Sequence, residues 1–427
     1  MESIIHVIIL GIFFLFIIKK DIDVISKRFA VFYVIIWSFG ILLSTNEALY
    51  EVSDYVYLLV YLHLLCYFIG FYSIKYSPKM PEKNLISIVS KRIDRFVNSS
   101  YFNIFFALCL TYVIYLFVKF YSLIILYQSL ADLREDFFDA ETNIYGSSFG
   151  LINTFLLVPL FYSLIPIFSY KCIFKRDFKT IFYGVYLIIY ASLGGGRFDY
   201  IRIALGFVFV VFCIYNSIIN TRIKITLVVT GSAVLMALLV FITMGRSGVF
   251  STQREDLDEG LEMTSKQIAA YSGGPIVALD LSIKNNYTQR IHGPRYGRLT
   301  LGALDMPFCV LLRKVGIPIN DAIGDLTLIK QDEIIQIGPE TRHNALYTSL
   351  LFYYNDFGFL GCLLFPLLFG FLSRKTIIIF YKTQSLSSFV LNAVLFLCLF
   401  YSIYDFALVN LALFLFCFCL LILKNKV

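Results

Sequence analysis

The sequence predicts an all-α polytopic membrane protein, and three observations support that fold class. Of the 427 residues, 59% are hydrophobic and only 15% are charged, and the mean hydropathy is +0.78. Soluble domains carry about 25% charged residues, so a soluble fold of this size would lack the charges to cover its surface. The apolar residues also form long runs, which cross bilayers as helices because a helix satisfies its own backbone hydrogen bonds. This composition excludes a soluble enzyme, a disordered chain and a disulfide scaffold.

The apolar runs are the predicted transmembrane helices, since a span requires about 20 apolar residues. The first run lies at the N-terminus, which lacks the basic segment and the small-residue cleavage site of a removable signal peptide. We therefore expect this run to be retained as a span. The eleven predicted spans cover residues 3–18, 29–46, 55–74, 101–127, 150–170, 180–194, 199–219, 224–244, 345–373, 385–403 and 406–423.

Charged residues between the runs predict the orientation of the chain. Every second loop is basic, as at 75–95 and 171–179, whereas the short loops at 47–54 and 132–141 are acidic. Lys and Arg concentrate in cytoplasmic loops, so the pattern predicts an N-terminus outside and a C-terminus inside. The same rule accounts for the net charge of +7, and we expect no nucleic-acid partner.

One long polar segment, residues 245–344, divides the chain into three predicted parts. Residues 1–244 hold the first eight spans, and residues 345–427 hold the last three. Because an even number of spans precedes the segment, the predicted topology places it outside, as one large periplasmic loop.

Three elements are predicted within this large loop. Glu255–Ser282 is predicted to be a helix, because it begins with an acidic turn, and the Gly-Gly-Pro sequence at 273–275 should break or kink it. Leu299–Val315 is predicted to be a short amphipathic helix that lies on the membrane. Leu326–Ile337 is predicted to form a small hairpin.

Cysteine and cofactor motifs are sparse. Eight of the nine cysteines lie in or beside apolar runs, and only Cys309 falls in the polar segment. The sequence has no Cys-x-x-Cys pair, no Walker motif, no dinucleotide fingerprint and no His-Glu-x-x-His pair. We therefore expect no disulfide, no metal site and no cofactor.

The first candidate site lies between the sixth and seventh spans, at the outer side. Three glycines at 194–196 would expose backbone N–H groups at a helix start, which favours an anion. Arg197 adds a planar set of donors that matches phosphate oxygens. Arg202 lies one turn further into the apolar run, where a cation is costly and usually functional. The alternative is a glycine turn in which Arg197 extends to the interface and pairs with Asp199.

Two weaker candidates lie further along the outer side. Arg246, flanked by glycines, follows the eighth span, where it would either bind an anion or simply reach the membrane interface. His292 lies in a turn among three arginines and is a candidate substrate contact; these arginines are Arg290, Arg295 and Arg298.

The candidate general base is His343, at the junction between the large loop and the ninth span. Its imidazole would titrate near neutral pH and accept a proton from a hydroxyl. Arg342 beside it would hold an anion, and Asn344 would orient an acceptor hydroxyl. The alternative is a helix cap in which Asn344 only begins the ninth span. His6 and His63 lie within spans and are interpreted as packing residues.

The ninth predicted span is interrupted by Asn355-Asp356-Phe357-Gly358. Asp356 is either a buried functional acid or the mark of a bend, and the bend is the favoured interpretation.

These features together resemble the O-antigen polymerase family of Gram-negative inner membranes. The resemblance is carried by the number of spans, by the glycines before Arg197, and by a large outer loop that ends in Arg342-His343-Asn344 ahead of Gly358 and Gly361. It implies the GT-C-like polymerase and ligase architecture of about 11 transmembrane helices with one large periplasmic loop. At the level of individual residues, the resemblance covers only these short motifs.

The resemblance implies a function at the periplasmic face. The implied substrates are undecaprenyl-pyrophosphate-linked oligosaccharides, and the growing glycan is transferred to a new repeat unit as undecaprenyl pyrophosphate leaves. His343 would accept the hydroxyl proton, and Arg197 would stabilise the pyrophosphate. Arg202, Arg246, Arg290, Arg342, Asn344 and His292 would be substrate-binding residues. The implied partners are the lipid-linked glycan, membrane lipid and a chain-length regulator protein, and no metal or cofactor is implied.

Three other functions compete with this one. An O-antigen ligase would use the same groups but transfer the glycan to lipid A-core. A lipid-linked oligosaccharide flippase or transporter should have charges in the middle of many spans and short loops, which this chain lacks. A membrane acyltransferase should have a histidine near the membrane plane among its early spans, which His63 fits poorly.

Overall fold

The computed structural model describes residues 2–20, 22–76, 78, 82–124, 149–175, 177–193, 198–215, 270–286, 295–332, 335–339, 342–343 and 347–423. Within these ranges the chain is mostly helical, and five helices are long and apolar enough to cross a membrane. These five are Val24–Ser44, Asp54–Tyr72, Ser100–Leu123, Phe149–Phe174 and Ser349–Thr383.

The described chain divides into two compact units, each of which is treated by itself. Unit 1 comprises Met1–Lys79, Lys266–Thr383 and Val394–Lys424. Unit 2 comprises Met80–Ser265, Gln384–Ala393 and Asn425–Val427.

Unit 1 contains nine of the described helices and one small sheet. Eight helices lie wholly within it: α1 (Glu2–Lys19), α2 (Val24–Ser44), α3 (Asp54–Tyr72), α9 (Gly274–Lys284), α10 (Gly302–Lys314), α11 (Ala322–Asp332), α12 (Ser349–Thr383) and α14 (Leu411–Ile422). The end of α13 (Leu386–Tyr401) and a short 3-10 helix (Ala407–Val409) also belong to it. The antiparallel strands are β1 (Ile335–Gln336) and β2 (Arg342–His343).

Unit 2 holds the remaining helices and the start of α13. They are α4 (Glu82–Val97), α5 (Ser100–Ile124), α6 (Phe149–Phe174), which contains a π-helical stretch (Asn153–Leu157), α7 (Phe178–Ser192) and α8 (Phe198–Val208), which continues into a π-helix (Phe209–Ile214). Its core is aromatic, with Phe106 edge-on to Tyr183 at 5.0 Å between ring centroids.

Each predicted span that lies among the described residues coincides with a helix, and the span at 224–244 lies outside them. Side-chain caps set several starts, because the first N–H groups of a helix have no partner within it. Asp23 accepts from the Ser26 N–H at 2.9 Å, Asp177 from the Thr180 N–H at 3.1 Å, and Asn410 from the Leu413 N–H at 3.1 Å. All three are polar residues at the N-terminal edge of an apolar run.

Glycines bring α3 and α12 close together in unit 1. A Cβ on Gly70 would collide with the carbonyl of Leu367, and a Cβ on Gly370 would collide with the carbonyl of Tyr67. Small residues at such crossings allow helix backbones to approach, which is the common mode of helix packing in membranes. The two glycines therefore fix how closely α12 lies against α3.

A buried ion pair marks one end of unit 1. The Arg374 guanidinium donates to Asp23 and Ser26, and at 3.1 Å to the carbonyl oxygen of Tyr76. Arg374 and Asp23 are each 1% exposed as side chains. We call this the Arg374 end. It joins the start of α2, the chain after α3 and the middle of α12.

The opposite end of unit 1 carries the sheet, and we call it the hairpin end. Here the Tyr50 N–H donates to the Ile337 carbonyl at 2.8 Å, and the Ser349 N–H donates to the Ser402 carbonyl at 2.8 Å. The two ends are separated by α2, which has 21 residues and so a length of about 30 Å. Within unit 1, the described parts of the predicted outer loops therefore lie at one end, and those of the predicted basic loops lie at the other.

One sequence prediction in the loops is wrong in detail, and one helix was not predicted. The predicted hairpin at Leu326–Ile337 is a helix as far as Asp332, and the sheet pairs residues 335–336 with 342–343 instead. Asp321 explains the helix, since its carboxylate accepts from the Gly324 N–H at 2.8 Å as a cap. The basic loop at 75–95 contains α4, which the sequence analysis did not identify as a helix.

Two other loop predictions are confirmed in part, since residues 255–269 of the first predicted helix lie outside the described residues. Residues 270–272 are helical, Gly273 forms a turn, and α9 begins at Gly274, so the chain breaks where the Gly-Gly-Pro sequence predicted. A Cβ on Gly273 would lie 2.5 Å from the Leu43 carbonyl oxygen, so only glycine fits there. α10 lies within the predicted amphipathic helix.

Candidate functional site

The sheet at the hairpin end contains two of the predicted site residues in its backbone. In β2, His343 is paired with Ile335 and Arg342 with Gln336. The Gln336 side chain donates to the Pro339 carbonyl at 2.7 Å and closes the turn between the strands. The backbone of the predicted base and its neighbouring arginine is therefore held in a short antiparallel ladder.

The hairpin is fixed against the loop between α2 and α3. Besides the bond from Tyr50 to Ile337, a Cβ on Gly338 would collide with the Ala48 carbonyl, so the backbones are in direct contact. Ile335 and Ile337 are buried. This loop is the acidic one that the charge pattern predicts to lie outside.

A buried carboxylate, Asp280, joins α9 to the same loop. It accepts from the Ser53 hydroxyl, and the Lys284 ammonium lies 2.5 Å from its other oxygen. Its side chain is 2% exposed. Sequence reasoning did not single it out, although the signal was present: Asp280 is the single charge in the apolar stretch 275–283.

The segment 295–301 packs against the break in α12 and is hydrogen-bonded to it. Phe357 and Gly358 have non-helical backbone angles, with φ of −140° and +58°. The fully buried Asp356 carboxylate accepts from the Leu299 N–H at 3.1 Å and the Thr300 N–H at 2.7 Å. Each oxygen thus has a backbone donor. The favoured interpretation of Asp356 as the mark of a bend is supported, with the addition that it anchors the large loop.

Two arginines of the predicted basic cluster are engaged in ion pairs within unit 1. Arg295 contacts Asp325 at 2.7 Å. Arg298 donates through two nitrogens to the Asp305 carboxylate, at 2.6 and 3.1 Å. It also donates to the Asn320 carbonyl at 2.7 Å. The hydrogen bond to Asp305 raises the pKa of the Arg298 guanidinium further above its usual value. These two arginines hold α10, α11 and the loop together.

Arg202 is the one predicted site residue whose side chain is described. It pairs with Asp199 one turn earlier, and its guanidinium carbon lies 5.7 Å from the centre of the Tyr162 ring. Asp199, which the alternative prediction pairs with Arg197, is thus the partner of Arg202. The Arg202 side chain is 24% exposed and is supported by a carboxylate and an aromatic face.

The other predicted site residues fall outside the described residues in whole or in part. Arg197, Arg246, Arg290, His292 and Asn344 lie outside them, and for Arg342 and His343 only the backbone pairing is described. Their roles stay predictions.

The two histidines within spans are buried and bonded to tyrosines. A His6 ring nitrogen lies 2.6 Å from the Tyr61 hydroxyl, and a His63 ring nitrogen lies 2.6 Å from the Tyr33 hydroxyl. His63 also lies 4.7 Å from the Trp37 ring. These surroundings agree with packing roles. Among the described residues, no group of three or more His, Cys, Asp or Glu side chains is arranged to hold a metal ion.

Comparisons with known proteins add no relative. No family model, no curated protein and no solved structure matches the chain. Function is therefore inferred from the sequence motifs and from the geometry of the hairpin end.

Proposed function

We propose that the chain is a membrane glycosyltransferase of the O-antigen polymerase type. It would join undecaprenyl-pyrophosphate-linked oligosaccharide repeat units and release undecaprenyl pyrophosphate. The observation that supports this most is the hairpin, which carries Arg342-His343 in a fixed backbone ladder at the end of unit 1 where the predicted outer loops meet. A catalytic base on a fixed ladder is preorganised relative to the membrane surface where both lipid-linked substrates lie.

The proposed reaction is a displacement at the anomeric carbon of the growing glycan. A hydroxyl at the non-reducing end of the new repeat unit attacks this carbon, and its proton passes to the His343 imidazole. The bond from the anomeric carbon to the pyrophosphate oxygen breaks, and its electrons leave with the pyrophosphate. Arg197, with Arg202, Arg246, Arg290 and Arg342 as further candidates, would stabilise that charge. His292 and Asn344 would contact the sugars.

The proposed location is a Gram-negative inner membrane, with eleven spans, a periplasmic N-terminus and a cytoplasmic C-terminus. The grouping of the basic loops at the Arg374 end supports this orientation, since Lys and Arg favour the cytoplasmic side. The reacting groups would then lie on the periplasmic side. The proposed partners are the lipid-linked glycan and a chain-length regulator.

An O-antigen ligase is the second candidate, because it would use the same arginines and histidine on the same face. The flippase alternative receives less support. In unit 1 the buried Arg374 and the histidines His6 and His63 are each engaged with neighbouring side chains, and the buried carboxylates Asp280 and Asp356 accept hydrogen bonds from nearby groups of the same unit.

The test is the lipopolysaccharide profile of a deletion strain complemented with variants. We expect His343→Ala and Arg197→Ala each to abolish long-chain polymer while the protein inserts at normal levels, because the first removes the base and the second the pyrophosphate contact. The expected product is a single repeat unit on core, since polymerase loss leaves ligation intact.

The matched control is Lys375→Gln, which removes an exposed cation of α12 next to Arg374 and should leave chain length unchanged. Core without any repeat unit in the deletion strain would identify a ligase instead. Near-normal chain lengths in both the His343 and Arg197 variants would contradict the site assignment.

A further inference from the structure

Helix α4 in unit 2 has one apolar and one polar face. Leu85, Val89 and Ile93 recur at four-residue intervals and are fully buried. The polar face carries Ser87, Ser90, Lys91 and Asp94, which are spaced by three and four residues and so lie on one side of the helix. This polar face borders a cavity.

The cavity has a volume of about 320 Å³. Besides the polar face of α4, its walls are the end of α6 and Tyr215, which follows the π-helix. The Ser90 hydroxyl lies 2.8 Å from the Tyr215 hydroxyl, so hydroxyl groups meet in one wall. The lining residues are Ile86, Ser87, Ser90, Lys91, Asp94, Tyr170, Phe174, Lys175 and Tyr215. Apolar and hydroxyl groups therefore share the walls.

A network of lysines and aspartates surrounds the cavity. Lys171, 3% exposed, contacts Asp177 at 2.7 Å and Asp94 at 3.4 Å. Lys175, half exposed, contacts the other Asp94 oxygen at 3.1 Å, and this hydrogen bond raises the pKa of the lysine. With the exposed Lys91, three lysines face two aspartates, which leaves one positive charge in excess at the rim.

We propose that this cavity binds the phosphate headgroup of an anionic phospholipid from the cytoplasmic leaflet. The charge pattern places both α4 and the end of α6 on the cytoplasmic side. Lys91 and Lys175 would contact the phosphate as two cations, the serine and tyrosine hydroxyls would donate to its oxygens, and Ile86 and Phe174 would contact the glycerol and the start of the acyl chains. Juxtamembrane lysines attract anionic lipid in this way.

A lipid fits this cavity better than free phosphate does. Asp94 lowers the affinity for any anion, so the excess of one positive charge provides little binding by itself. A lipid adds apolar contacts with the walls and is present at high local concentration in the leaflet. The inference concerns unit 2 alone and does not depend on the proposed glycosyltransferase activity.

The test measures lipid binding to the purified full chain in detergent by native mass spectrometry. The probes are dioleoyl phosphatidylglycerol, dioleoyl phosphatidylcholine and inorganic phosphate. We expect phosphatidylglycerol to bind and to lose affinity roughly fivefold for each of Lys91→Gln and Lys175→Gln. The matched control is Arg95→Gln, which removes one charge from the exposed surface of the same helix but does not line the cavity.

A variant that should increase the affinity distinguishes an effect on lipid binding from an effect on folding. Asp94→Asn removes the carboxylate from the wall, and we expect tighter phosphatidylglycerol binding, an outcome that structural damage would not produce. Equal losses for Arg95→Gln and Lys91→Gln would overturn the proposal, because the effect would then be general surface attraction. Equal binding of phosphatidylcholine, or competition by millimolar phosphate, would also overturn it.

Discussion

At the scale of single residues, two basic side chains that the charge pattern assigns to topology are buried. Arg374 is 1% exposed and bonded to Asp23, and Lys171 is 3% exposed and bonded to Asp94 and Asp177. Burying a charge is costly unless it is paired, so each cation comes with its carboxylate. Both residues therefore join chain segments that are distant in sequence, in addition to any effect on orientation.

The pairing of Arg374 predicts a specific stability effect. Arg374→Ala leaves the Asp23 carboxylate buried without its cation, which typically destabilises a protein by about 3–5 kcal/mol. We expect lower resistance to unfolding in detergent, measured by thermal aggregation of the purified chain. The double variant Asp23→Asn with Arg374→Gln should recover part of the loss, because it removes both charges together.

Lys375→Gln is the matched control for Arg374, since Lys375 is its exposed neighbour in the sequence. It should change stability by less than about 0.5 kcal/mol, as surface substitutions do. If the Lys375 and Arg374 variants proved equally stable, the ion pair would not hold the Arg374 end together.

At the scale of elements, the break in α12 depends on one backbone conformation. Gly358 has φ +58° and ψ −142°, a region that residues with a Cβ rarely adopt. The space around it is open, since nothing lies within 4 Å of a Cβ built there. A side chain at this position is therefore opposed by backbone strain and not by collision.

We expect Gly358→Ala to destabilise the chain by about 1–3 kcal/mol and to loosen the attachment of residues 295–301, whose backbone is bonded to Asp356. Limited proteolysis of the purified chain would detect the loosened segment. Gly11→Ala in α1 is the control, because a Cβ there also meets open space and its backbone is helical. Equal protection of both variants would show that the positive φ carries no constraint.

Helix α10 presents an apolar stripe that is exposed in the part of the chain that the structure describes. Leu304, Phe308, Leu311 and Val315 follow the helical spacing and are 47–73% exposed, and Met306 is 49% exposed, whereas Ala303 and Cys309 are buried. A helix with this division is typical of one that lies in the membrane interface. The structure thus supports the amphipathic character that the sequence predicted.

A fluorescent probe on Leu311→Cys should be quenched by brominated lipid in proteoliposomes, because the stripe would face the acyl region. The control probe sits on Asn320→Cys, an exposed polar position after the helix. Equal quenching at both positions, or none at either, would place α10 away from the interface.

At the scale of the whole molecule, the ends of the helices in unit 1 predict the membrane topology. The α2–α3 loop meets the hairpin, and the start of α2 meets Arg374. We expect an impermeant thiol reagent to label Glu47→Cys from the periplasm and Lys20→Cys only after the membrane is opened. Labelling of Lys20→Cys in intact cells would reverse the proposed orientation.

Most of the described fold was predictable because long apolar runs predict helices directly. The positions of α1–α3 and α12–α14 followed from hydropathy, and the break in α12 followed from Asn355-Asp356. The hairpin was misplaced because a two-residue strand has no periodicity for a sequence to reveal. The site was predictable only as residue types, since Arg295 and Arg298 flank the candidate substrate contact His292 in sequence but pair with Asp325 and Asp305 in the fold.

The sequence by itself determined the membrane class, the helical runs and the separation of basic from acidic loops, because hydropathy and charge act on each segment independently of its neighbours. Only the tertiary structure decided which charges are paired, which backbone N–H groups of the large loop bond to Asp356, and where the hairpin with Arg342-His343 is attached. Some pairs join residues hundreds of positions apart, such as Asp23 and Arg374, and such contacts exist only once the helices have packed.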